Sequence, residues 1–131
     1  MITILNSTPS NMVGFRATGK VTIEDFENVV IPAVNELVAR TNELNYLMVI
    51  DTDLKNFTIG AWWQDAFMGL KQIAKWRRAA IVSGSDGIKK FTNIFSFIVP
   101  GEFKAFDPSE LETAIYWVSE KKQSSKNEAY K

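Results

Sequence analysis

The chain contains no cysteine and no histidine. Without cysteine it has no disulfide framework, no thiolate nucleophile and no Cys-ligated metal. Without histidine it lacks the commonest general base and the commonest transition-metal ligand. Ser-His-Asp, Cys-His and zinc-water mechanisms are excluded because their atoms are missing. Carboxylate, lysine or tyrosine chemistry stays open, as does an Mg²⁺ or Ca²⁺ site built from oxygens. An excess of charge is lacking too: 15 Lys and Arg balance 15 Asp and Glu. A nucleic-acid partner would therefore find no global electrostatic support, and none is expected. No apolar run approaches the ~18 residues of a membrane-spanning helix, and no export signal opens the chain. The cytoplasm is the expected location.

What is present suits one globular domain. The 131 residues are 46% hydrophobic, with nine Phe and four Trp, enough to bury a sizeable core. Met1–Leu5 and Met12–Thr18 read as two strands joined by a polar turn, a hairpin. Thr22, with Asp25 three residues on, has capping-box spacing. From Asp25 to about Arg40, Phe26, Val29, Val30, Ala33, Val34, Leu37 and Val38 recur at helical intervals. Pro32 falls inside this pattern and predicts a kink or a split. Tyr46–Ile50 reads as a buried strand, and Ile59–Lys75 as a second helix. Arg78–Val82 is a further strand, and a short apolar helix starts near Ile88. Glu102–Phe106 forms a last strand, and Asp107-Pro108-Ser109-Glu110 opens a last helix. Alternating strands and helices call for an α/β fold with a mostly parallel sheet. The domain is expected over residues 1–122, with a polar tail at 123–131.

Several stretches together resemble the SpoIIAA-like family of small bacterial proteins, grouped with STAS and CRAL-TRIO lipid-binding domains. They are Gly19-Lys20-Val21-Thr22-Ile23-Glu24-Asp25-Phe26 before the helix with Pro32, and Tyr46–Asp51 before the helix with Trp62-Trp63-Gln64-Asp65. Arg77-Arg78-Ala79-Ala80-Ile81-Val82 and Phe106 with the helix carrying Ala114, Ile115 and Trp117 complete the set. The likeness spans roughly residues 12–119. It implies a four- or five-stranded sheet, the N-terminal hairpin and about four packed helices. It also implies a non-enzymatic module that binds an apolar or lipid-like ligand, a membrane surface or a regulatory protein. STAS anti-sigma antagonists carry a phosphorylatable Ser or Thr after the third strand, which here points to Thr52 or Thr58.

The residue-level candidates follow from composition. Trp62, Trp63 and Phe67 crowd one helix and either complete the core or line an apolar pocket. Phe91 and Phe95 lie in a very apolar segment behind Lys89 and Lys90. With Arg77 and Arg78, these lysines make a basic cluster suited to an anionic headgroup or membrane surface. The loop Ser83–Gly87 follows a buried strand, but lacks a Walker or Rossmann fingerprint. Asp51, Asp53 and Asp86 are the acids that would have to gather for Mg²⁺, although turn chemistry accounts for the first two. No cofactor or metal is expected. The leading expectation is a binding module; the runner-up is a protein–protein regulator of anti-sigma-antagonist type, and a homodimer is compatible with either.

Overall fold

The computed structural model describes residues 1–53, 56, 75–84 and 101–120. Five strands form one sheet in the order β1-β2-β3-β4-β5: Ile2–Ile4, Val13–Thr18, Leu44–Asp51, Trp76–Val82 and Glu102–Phe106. β1 is antiparallel to β2, with Ile2 opposite Ala17, and so forms the expected hairpin. The other pairings are parallel. β3 and β4 begin two residues earlier than hydropathy suggests, at Leu44 and Trp76.

Because side chains alternate along a strand, a sheet covered on both sides reads as a continuous apolar run. Every residue of β3 but Asp51 is buried. Phe15, Tyr46, Met48, Ile50, Ala79 and Ile81 belong to one face, and Leu47, Val49, Ala80, Val82 and Phe106 to the other.

The first face receives the helix that leads from β2 to β3. Thr22 caps it: its hydroxyl accepts the Asp25 N–H at 3.3 Å, and the Asp25 carboxylate accepts the Thr22 N–H at 2.9 Å. The backbone is α-helical at Ile23–Asp25, π-helical at Phe26–Val30 and α-helical again at Ile31–Thr41. The disturbance expected at Pro32 takes the form of a π-helical section just before it, with helical backbone continuing on both sides. Pro32 sits in the first turn of the last section, where its missing N–H costs little, and the Ile31 N–H bonds back to the Phe26 carbonyl. Phe26, Val30, Val34 and Leu37 reach the sheet fully buried, each worth about 1.5–3 kcal/mol of apolar burial. Asn42, in the left-handed conformation at φ 61°, ends the helix.

The opposite face receives the C-terminal helix, Leu111–Ser119, through the buried small residues Ala114 and Val118. It follows a 3₁₀ turn at Pro108–Glu110, where Asp107 and Glu110 form a second capping box. Two helices are therefore described; the two expected over Ile59–Lys75 and from Ile88 lie outside the described residues. No described helix is long and apolar enough to cross a membrane.

Candidate functional site

The two ends of the parallel strands carry most of the polar side chains within this apolar frame. At the amino end, Leu44 pairs with Trp76 but Asn45 pairs with Arg78, which leaves Arg77 as an extra residue, a β-bulge. A bulge re-aims side chains that strict alternation would send to opposite faces. Accordingly, both arginines reach the C-terminal helix. Arg77 Nη1 donates to Asn45 Oδ1 at 3.0 Å and to the Val118 carbonyl at 3.2 Å, and its Nη2 donates to the Glu120 carbonyl. Arg78 Nη1 donates to the Trp117 carbonyl at 2.6 Å and to the Glu120 carboxylate at 2.9 Å, while Nε reaches Glu102 at 3.1 Å. Its guanidinium carbon also lies 4.7 Å from the Trp117 ring centroid. Asn45, fully buried, donates to the Asn11 carbonyl, and Asn11 donates to the Ser119 carbonyl. Cations here meet the negative end of a helix and its unpaired carbonyls.

Gly101 makes the bulge possible. A Cβ at this position would lie 2.6 Å from the Arg77 carbonyl oxygen and 3.1 Å from that of Trp76. Backbone atoms cannot rotate aside as a side chain can, so no larger residue fits without a shift.

The carboxyl end is built differently. There the strand ends and the start of the C-terminal helix surround a cleft of about 90 Å³. Val49, Val82, Leu111 and Pro108 give it an apolar lining, completed by Ile50, with Arg16 and Asp51 as its charged members. Arg16 Nη1 stands 3.4 Å from Asp51 Oδ2, one long contact between side chains that are 36% and 64% exposed. In parallel sheets, this edge is where ligands are usually received.

Thr52 lies just beyond the end of β3. Its hydroxyl donates to the Gly19 carbonyl at 2.9 Å and accepts from Asn56 Nδ2 at 3.2 Å. Asp53 is exposed, and among the described residues no three carboxylates gather where a metal could be held. Ser83 is buried, with its N–H on the Phe106 carbonyl.

Of the sequence candidates, Arg77 and Arg78 are brought together, but onto helix carbonyls and glutamates. Thr52 is placed at the opposite end of the sheet. Trp62, Trp63, Phe67, Phe91, Phe95, Lys89, Lys90, Thr58 and Asp86 lie outside the described residues. Sequence reading missed Arg16, which alternates between the buried Phe15 and Ala17 as a strand's outward residue does. It also missed Asn45, whose signal was a polar residue within an apolar run.

A model of the family described as SpoIIAA-like matches residues 12–119. Among solved structures, the chain is similar to an uncharacterized protein of the DUF3478 family with a SpoIIAA-like fold from Shewanella loihica PV-4. Identity is 26%, the TM-score is 0.61, and the match covers 89% of this chain and 93% of that one. No curated protein matches.

Proposed function

The chain belongs to the SpoIIAA-like family, and from that premise we propose that it is a non-catalytic module whose carboxyl-edge cleft receives the apolar part of a small amphipathic or lipid-like ligand. The family supports a binding or regulator-like module in general. The observation that carries the finer reading is the cleft itself: an apolar lining at the ligand-receiving edge of the sheet, with Arg16 and Asp51 as its charged members among the described residues. Among the described residues Asp51 is the one carboxylate lining it, so these residues offer a bound molecule no acid–base pair of carboxylates. Contact with a membrane surface through Trp62, Trp63, Phe67, Phe91 and Phe95 is the variant of this reading that rests on residues outside the described structure.

Native mass spectrometry of never-denatured protein, followed by organic extraction, tests it. The expected result is a reproducible bound mass that disappears when Leu111→Trp fills the cleft. A bound mass indifferent to that change would place binding elsewhere.

A second reading, a regulator docking on a partner protein, is favoured by Thr52. Phosphorylation would remove the hydroxyl proton that reaches Gly19 and place a dianion beside Asp51 and Asp53, loosening the link between β3 and the turn after β2. A phosphate found on Thr52, together with a partner that discriminates the two forms, would support this reading over the first.

A further inference from the structure

We propose that the carboxyl-edge cleft binds a free α-amino acid with a short aliphatic side chain, its carboxylate on Arg16 and its ammonium on Asp51. The inference rests on the cleft being a binding site and specifies what enters it.

Size limits the apolar part. A volume of about 90 Å³ is well below the roughly 150 Å³ of a cavity that takes a benzene ring, room for a branched side chain of about three or four carbons against Val49, Val82 and Leu111. A long acyl chain would extend past these residues.

Charge limits the polar part. Among the described residues the cleft carries one cation and one anion, joined by a single 3.4 Å contact. That distance is at the outer limit of a hydrogen bond, far from the short two-pronged geometry a guanidinium and a carboxylate prefer. The contrast with Arg78 is direct, since its Nη1 bonds are 2.6 and 2.9 Å long. Both members of the Arg16–Asp51 pair are accessible, so a ligand can separate them. A simple carboxylate would satisfy Arg16 but face Asp51 across the same opening, and a simple amine would face Arg16. Only a ligand with both charged groups on one carbon, as in an α-amino acid, completes both partners. Arg16 would then hold a carboxylate by two parallel N–H···O bonds, and Asp51 would accept from the ammonium.

The test is an ¹⁵N NMR titration of the full chain with L-valine and L-leucine, alongside 4-methylpentanoate and 3-methylbutylamine, the single-charge counterparts of leucine. The expected result is saturable shifts at Arg16, Val49–Asp51, Val82 and Leu111, with each counterpart at least tenfold weaker. Arg16→Gln and Asp51→Asn should each weaken the amino acid at least tenfold, while Leu111→Trp removes binding. The first two changes are at exposed side chains, so the test survives if Leu111→Trp does not fold. Counterparts that bind at the cleft as tightly as the amino acid would overturn the zwitterion assignment while leaving the cleft a binding site. An absence of shifts at these residues with valine and leucine would overturn the inference, and if the two counterparts also leave them unmoved, the cleft reading falls with it.

Discussion

The two ends of the parallel sheet use arginine in opposite ways. At the amino end, Arg77 and Arg78 hold the carbonyls of residues 117, 118 and 120, and Asn11 holds that of Ser119. At the carboxyl end, Arg16 has one long, exposed contact to Asp51 beside an apolar cleft. A hydrogen-bonded charge that is partly desolvated contributes to holding a helix in place, whereas an exposed single-contact pair contributes about 0–1 kcal/mol and is easily exchanged for a ligand. The comparison teaches that a basic residue is a binding candidate only to the extent that the fold has not already engaged it.

The largest expected effect breaks the amino end. Gly101→Ala drives a Cβ against two backbone carbonyls and should cost about 2–3 kcal/mol, measured as a shift of the urea midpoint. A cost near zero would mean that the bulge relaxes freely and that the arginine clasp is not rigid.

A smaller effect of opposite sign sharpens the contrast. The polar groups of the clasp are partnered, but on the other face of β3 the buried Tyr46 hydroxyl finds no hydrogen-bond partner among the described residues, and the Tyr46 ring packs against Phe15 and Trp76. Burial pushes its pKa well above the usual phenol range, so it stays neutral. Tyr46→Phe removes only the orphaned oxygen and should stabilise the protein by about 1 kcal/mol, read as a higher melting temperature. A destabilised variant would reveal a partner for that hydroxyl in solution.

The smallest effect lies at the carboxyl end. The backbone N–H and hydroxyl of Ser109 hold the Asp107 carboxyl below its usual value. A depressed folded pKa contributes stability that is complete above the unfolded value of about 3.9 and is lost as pH falls through the folded one. A carboxyl-carbon NMR titration should place the Asp107 midpoint below about 3.9, and Asp107→Asn should remove its share of the acid sensitivity. A midpoint at or above the unfolded value would show that the cap does not persist in solution.

Local features were legible in the sequence and long-range ones were not. Thr22 with Asp25 and Asp107 with Glu110 announce their helices because a capping box needs only four consecutive residues. The apolar runs of β3 and β4 announce a doubly covered sheet. The joint orientation of Arg77 and Arg78 had no such signal, since adjacent residues of a regular strand point apart. It depends on the register against Leu44 and Asn45, more than thirty residues away in the chain by the pairing. Pro32 marked a disturbed helix, and the disturbance is a π-helical section with Phe26 and Val30 buried in the core. The cleft joins Arg16, Val49–Asp51, Val82, and Pro108 with Leu111, four separate stretches with no motif in common.

The most direct test of the contrast is urea unfolding of Arg77→Gln and Arg16→Gln side by side. Arg77→Gln should lose about 2 kcal/mol, because Asn45 and two helix carbonyls lose a charged donor. Arg16→Gln should stay within about 0.5 kcal/mol of the parent. An Arg16→Gln cost equal to that of Arg77→Gln would contradict the account, because the carboxyl-end arginine would then belong to the fold as firmly as its counterparts.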